Sequence, residues 1–215
     1  MFTGIIEHQG EISKLETGAA GGRITVQAPA HAPHLAVSAS IAVNGCCLTV
    51  VEKNQKHFSA DLSRETLEKT SFASLRTGAR VNLEQPLTAG KEFGGHFVLG
   101  HVDGVGRVVF LASDGEGWRY GVQVPADLAR YVVSKGSITI DGISLTIAHW
   151  QNRVAEIAVI PYTYEHTNIR DRAPGDPVNL EVDILGKYIE RYLHQRDAAK
   201  ISSTLSIEDL VRQGF

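Results

Sequence analysis

Two seven-residue runs hold the side chains best suited to chemistry. Residues 44–50 read NGCCLTV, and residues 141–147, 97 positions later, read DGISLTI. Both alternate as a β-strand does, with successive side chains on opposite faces. In the first, Cys47 and Thr49 share a face, and Cys46, Leu48 and Val50 share the other. In the second, Ser144 and Thr146 share a face against Ile143, Leu145 and Ile147. The polar face carries a thiol and hydroxyls, whereas a face turned to solvent more often carries Lys or Glu. Small uncharged donors and acceptors suit a shallow pocket for a flat polar ligand.

Other reactive residues narrow that chemistry. His96 and His101 are five apart and point to opposite faces of an extended chain, so they do not share a metal ion. His101 stands where the second half begins and is a candidate pocket rim. The two cysteines are adjacent, which points them apart on a strand, and two thiols do not close a four-ligand zinc site. Reduced thiols fit a cytoplasmic protein. In DLSRETL, Asp61, Glu65 and Thr66 are matched with Ile160, Tyr162 and Thr163 of the second half, which keeps the Thr but not the charge. Each half can therefore hold the same ligand and treat it differently. Asp61 or Ser63 can equally cap a helix.

The elements that position these groups are written twice. At the same 97-residue offset, ETLEKT (65–70) falls on YTYEHT (162–167), TGARVNLE (77–84) falls on PGDPVNLE (174–181), and FTGIIE (2–7) falls on LGHVDG (99–104). A long repeat present twice is a tandem domain rather than a solenoid. Short β-rich runs separated by Gly, Pro, Asn and Asp predict strands near 2–8, 22–28, 40–44, 46–52, 56–62 and 79–85. The second half repeats them near 99–105, 118–124, 137–141, 143–149, 153–160 and 176–182. Helical pieces are predicted at 64–70 and 126–132. The fold class is mainly β: two tandem six-stranded antiparallel Greek-key barrels, closed so that neither leaves an edge, plus a C-terminal helix. The domains are 1–97, 98–183, the helix at 184–200 and a tail at 201–215.

The junction TAGKEFGGHFVLGHVDGVG (88–106) ends in Gly104-Val105-Gly106, but a dinucleotide fingerprint needs a helix after its glycines and a strand-like RVVFLA follows. Residues 183–200 switch to helical spacing, with Ile184, Leu185, Tyr188, Ile189, Tyr192 and Leu193 on one stripe and Asp183 as cap. That helix packs on its own barrel or joins chains together. Ser206 and Asp209 form a capping box for one more short helix. A net charge of −3 without a basic run asks for neither nucleic acid nor an anionic membrane as partner. No apolar run reaches membrane-span length, and the first residues lack a secretory layout.

MFTGII, NGCCLTV, DLSRETL, GGHFVLGHVDG, DGISLTI, IPYTYEHTNI and VNLEVD together resemble riboflavin synthases of the trimeric, two-barrel type. The resemblance runs from Met1 to about Leu193. It implies dismutation of two molecules of 6,7-dimethyl-8-ribityllumazine, in which a four-carbon unit passes from one to the other. The products are riboflavin and 5-amino-6-ribitylamino-uracil, and the enzyme is a transferase that needs no cofactor. It also implies a homotrimer held by the C-terminal helices, with the productive site between the first barrel of one subunit and the second of a neighbour. Association with lumazine synthase is a further expectation. Carried over by position, the lumazine contacts of the first copy are Gly4, Ile5, Ile6, Cys47, Leu48, Thr49, Asp61, Leu62, Ser63, Arg64, Glu65 and Thr66. Those of the second are Gly100, His101, Val102, Ser144, Leu145, Thr146, Ile160, Pro161, Tyr162 and Thr163, with Lys135 reaching across from a partner subunit. Ser40, Cys47, His101, Ser144, Thr146 and Asp183 are candidates for proton transfer and nucleophile delivery. The alternative is a non-catalytic lumazine- or flavin-binding protein of the same barrels; such relatives tend to lose MFTG and CCLT, and both are present here. The flavin barrel of a reductase would need a nicotinamide-binding domain, for which the 215 residues show no pattern.

Overall fold

The computed structural model describes residues 1–202 and 212, with side chains described through residue 196 and at 212. The first barrel comprises β1 (His8–Gly18), β2 (Gly21–Gln27), β3 (Ser40–Val43), β4 (Cys46–Lys53), β5 (His57–Ser63) and β6 (Arg80–Glu84), with helix α1 (Arg64–Lys69) before β6. The second comprises β7 (Gly104–Asp114), β8 (Gly117–Gln123), β9 (Ser137–Ile140), β10 (Ile143–Gln151), β11 (Val154–Val159) and β12 (Pro177–Val182), with α2 (Pro161–His166) before β12. Both close in the Greek-key order first, second, fifth, fourth, third, sixth, and every pairing is antiparallel. Helix α3 (Ile184–Ser202) is a separate unit. The capping box at Ser206 lies outside the described residues.

Apolar residues at alternate strand positions fill each barrel. Ile12, Ile24, Val26, Ile41, Phe58 and Leu83 are buried in the first, and Tyr120, Ile138, Ile140, Ile147, Ile157 and Leu180 in the second. On the two polar-faced strands, Cys46, Leu48 and Val50 point inward, as do Ile143, Leu145 and Ile147, while Thr49 and Thr146 are exposed. The faces fall as the alternation predicts.

The NG and DG turns do more than reverse the chain. Asn44 and Gly45 have φ of 44° and 76°, and Asp141 and Gly142 have 47° and 81°, the signature of tight hairpin turns. The two turns meet back to back: a Cβ on Gly45 would lie 2.7 Å from the Gly142 nitrogen, and one on Gly142 would lie 2.6 Å from the Gly45 nitrogen. Around them runs a buried polar net with two-fold character. Asn82 Nδ2 donates to the Asp141 carbonyl (2.9 Å), and Asn179 Nδ2 donates to the Asn44 carbonyl (2.8 Å). Asn44 Oδ1 accepts from Asn82 N, and Asp141 Oδ1 from Asn179 N. The net departs from symmetry where Arg172 donates to Asp141 Oδ2. The Asn82, Asn168 and Asn179 side chains each bond to the other copy, whereas Asn44 Nδ2 is buried without a partner; the barrels are mated by hydrogen bonds as well as apolar contact.

Four expectations need correction. The first strand of each copy does not lie at 2–8 or 99–105; it starts at His8 and Gly104, because Gly4 and Gly100 turn the preceding chain with φ of 78° and 80°. Those two glycines also correct the offset. The copies are 96 apart through their second strands and 97 apart from Ser40 and Ser137 onward, the second copy holding one extra loop residue between. Residues 161–166 form a helix, and 126–132 contain only a short 3-10 turn at Ala129–Tyr131. Finally, Ile160 matches Ser63, since each is the cap of its helix, and is not the counterpart of Asp61.

Candidate functional site

Residues 1–7 and 97–103 form irregular arms ahead of β1 and β7, and each arm crosses to the other barrel. The arms touch where Phe2 N donates to the Val98 carbonyl (2.7 Å) and Val98 N to the Phe2 carbonyl (3.2 Å). Beyond that point they diverge. The Gly100 carbonyl accepts from Cys47 N on β4, and the Gly4 carbonyl accepts from Ser144 N on β10, both at 2.8 Å. Val102 packs on the core of the first barrel and Ile6 on that of the second. The grouping of contacts by copy is therefore reversed for the arms: Gly100, His101 and Val102 accompany Cys47, while Gly4, Ile5 and Ile6 accompany Ser144. Glycine is required at both crossings. A Cβ on Gly4 would stand 2.7 Å from Ser144 Cβ, and one on Gly100 would stand 2.7 Å from Cys47 Cβ, in addition to the left-handed φ.

On the first barrel the arm, β4 and α1 enclose a cleft of about 270 Å³ that brings Cys47, Ser63, Glu65, Thr66, Lys69 and His101 together. Ser63 caps α1 by accepting from Thr66 N (3.0 Å). The rest of the 61–66 run turns elsewhere. Asp61 pairs with Arg23 across the sheet (2.7 Å), Arg64 pairs with Glu68, and Leu62 is buried in the core with Leu48. Ser40 stands opposite Thr49 on the β3–β4 ladder. Cys46 and Cys47 differ as their faces dictate: burial pushes the Cys46 thiol up to about 12, so it stays protonated and inert, while Cys47 is half-buried at the cleft.

On the second barrel the corresponding strand carries a different apparatus. Ser144 Oγ lies 2.7 Å from His96 Nδ1, and Thr139 Oγ1 lies 3.2 Å from His96 Nε2. His96 is buried, and burial lowers its pKa while Asp183 acts in the opposite sense. A neutral imidazole held at both nitrogens can donate from one and accept at the other. Ile160 and Tyr162 stand exposed at the start of α2 beside Pro161, Tyr162 stacked on His166 with centroids 4.0 Å apart. Thr163 accepts from the Thr167 hydroxyl through its carbonyl. Leu145 points into the core, and Thr146 faces Ser137 across the ladder. Lys135 occupies an exposed left-handed turn (φ 66°) tied to the Ile147 carbonyl.

Sequence reasoning did not place His96 in the site. Its signal was the pair of glycines before it: a Cβ on Gly95 would collide with the Thr3 carbonyl, so only glycine lets this stretch run against the arm. The wider hollow on the second barrel, about 580 Å³ beside Arg119, His149, Trp150 and Glu156, holds none of these groups.

The lumazine-binding domain model matches this chain twice, at residues 3–86 and 99–183. A riboflavin synthase of Actinobacillus pleuropneumoniae is 40% identical over 215 residues, covering all of both chains. One of Mycobacterium bovis is 44% identical over 198 residues, covering 90% of this chain and 98% of its own. Among solved structures, LumP complexed with riboflavin superposes with a TM-score of 0.80 at 26% identity, covering 85% of this chain and 99% of its own. LumP complexed with 6,7-dimethyl-8-(1'-D-ribityl) lumazine gives a TM-score of 0.78 at the same identity and coverage.

Proposed function

Because the chain belongs to the riboflavin synthase family, we propose that it converts two molecules of 6,7-dimethyl-8-ribityllumazine into riboflavin and 5-amino-6-ribitylamino-uracil. The observation that carries this reading is the pair of arm-crossed sites, alike in backbone and different in side chains. A reaction between two copies of one substrate needs one frame twice, with two kinds of proton chemistry. The lumazine ring delocalises the carbanion formed at its C7 methyl, so the protein must take that proton, deliver a nucleophile to the other ring and hold both rings together. Holding them supplies effective molarities of about 10⁵–10⁸ M, and acid–base help adds about 10²–10⁴-fold. Positioning therefore outweighs any single side chain.

At the second barrel, Ser144 can pass its proton to His96 Nδ1 while Thr139 accepts from Nε2–H; burial keeps the imidazole neutral and ready to accept. At the first, Cys47 and His101 are the candidate groups within the cleft, and Ser40 is on the neighbouring strand β3, opposite Thr49. Asp183, whose charge reaches His96, and Thr146 complete the set. The chain assembles as a homotrimer through α3, whose residues Leu185, Tyr188, Ile189, Tyr192 and Leu193 are all exposed, and Lys135 serves a neighbour's ligand.

The test is incubation of purified protein with the lumazine alone. One riboflavin and one pyrimidine should appear for every two lumazines consumed, without added metal, nicotinamide or flavin. Tight binding with no product would identify a carrier instead, the alternative that the likeness to LumP keeps in view.

A further inference from the structure

We propose that Glu84 and Glu181 are positioning residues that act across the barrels, each shaping the site of the barrel to which it does not belong. Glu84 ends β6 of the first barrel. Its Oε1 accepts from Thr3 N (2.7 Å) and from the Thr3 hydroxyl (2.8 Å), and its Oε2 accepts from Gly4 N (2.9 Å). It thereby fixes the arm whose Gly4 carbonyl holds Ser144 of the second barrel. Glu181 sits on β12 of the second barrel. Its Oε1 accepts from Leu99 N (2.6 Å), and its Oε2 accepts from Gly100 N and His101 N (both 3.0 Å). It fixes the arm that lays Gly100 and His101 over Cys47 of the first barrel.

Both side chains are buried, at 2% and 4% exposure. A buried carboxylate is costly unless its lone pairs are met, and here each meets three donors. Successive N–H groups around a left-handed glycine make a small anion-binding concavity. Only an acceptor-only group with two oxygens fills it. Glutamine keeps the shape but turns one oxygen into an NH₂ that faces N–H donors, so one side of the clasp opens. The strand ladders close without this chemistry. What it secures is the arm, and the arm is site.

The proposal rests on the two-site reading above, and its test is built to fail separately from it. In the full chain, Glu84→Gln and Glu181→Gln are compared by iodoacetamide alkylation of Cys47, the accessible thiol, and by the NMR signals of His96. Glu181→Gln should change the Cys47 alkylation rate by at least about threefold, because exposure and environment set thiol reactivity, and should leave His96 unmoved. Glu84→Gln should shift His96 and leave Cys47 alone. Equal effects of both variants on both sites, or no effect of either, would overturn the proposal. Should a Gln variant fail to fold, the Asp variant, which keeps the charge and withdraws it by one methylene, is read by the same crosswise criterion. If the unaltered chain makes no riboflavin, the functional reading falls while the thiol and histidine readouts still decide this one.

Discussion

At matching places on matching strands, the first barrel presents Cys47 and the second presents Ser144, and different groups meet them. Cys47 shares its cleft with His101, Glu65 and Lys69. Ser144 is bonded to a buried histidine that is itself bonded to Thr139. The source of the difference is local. The arms place Ile5 and His101 at equivalent positions, so an aliphatic side chain in one arm answers an imidazole in the other. Helix α1 offers Glu65 and Lys69 where α2 offers Tyr162 and His166. The frame was kept, down to the glycines and the glutamates that hold the arms, while the side chains it presents diverged. Two sites under one set of backbone constraints can thus carry unlike proton chemistry.

The comparison is broken most directly at its reactive groups. Ser144→Ala and His96→Gln should each lower turnover by about 10²–10⁴-fold, and the double variant should be little worse than either, since the pair acts as one unit. Cys47→Ala should also slow turnover, whereas Cys46→Ala should act through packing, by about 1 kcal/mol of stability. Steady-state rates beside thermal melts check this; a stably folded Cys46 variant as slow as the Cys47 variant would undo the face assignment.

A second variant tests the crossing of the arms. Residues 1–97 alone lack Gly100, His101 and Val102, so their cleft is open, and ligand affinity should fall by at least about tenfold. It should recover as concentration rises if a second copy lends its own arm. Sedimentation and ligand fluorescence measured over the same range should then rise together; full-affinity binding by a monomer would mean that the arm is dispensable.

The turn-to-turn contact joins what the sites divide. Gly142→Ala puts a Cβ against the Gly45 backbone in a left-handed turn, and should cost about 2–3 kcal/mol, measured by denaturant unfolding. Because the contact is shared, both barrels should unfold together. Two separate transitions would show them to be independent.

The smallest effect is in pH. Burial lowers the pKa of His96 and of His31 below 6.5. Between the folded and the ordinary value the unfolded chain binds more protons, so stability is full above 6.5 and declines as pH falls through it. The acid limb of turnover should likewise lie below 6.5, and should move if His96 is replaced by Gln.

Much of this was legible in the sequence for a physical reason. Alternation on 46–50 and 143–147 depends only on which face meets the core, so the inward Leu48 and Leu145 and the outward Thr49 and Thr146 could be assigned from spacing. NG and DG announced their turns because few residues tolerate left-handed φ. The arms were misread as strands because FTGII and LGHVD carry Phe, Ile, Leu and Val as strands do, and nothing local says that a buried glutamate 80 or 81 residues on will take their N–H groups. The same blindness to distant partners hid His96: its role is set by Ser144, 48 residues away. Counting the repeat at one fixed offset hid the inserted loop residue and, with it, the true pairing of Gly4 with Gly100.

The crossed arms also give the chain the form of a swapped pair. An arm that completes a neighbour's pocket, reciprocated residue for residue, is the arrangement of two identical single-barrel chains swapping their N-termini about a two-fold axis. Fusing two such genes turns the neighbour into the same molecule and makes the exchange permanent. Within one chain a substitution acts on one pocket without altering its twin, so Cys47 and Ser144 can differ while Glu84 and Glu181 match. A joined chain has what a symmetric pair can never have: two sites free to differ.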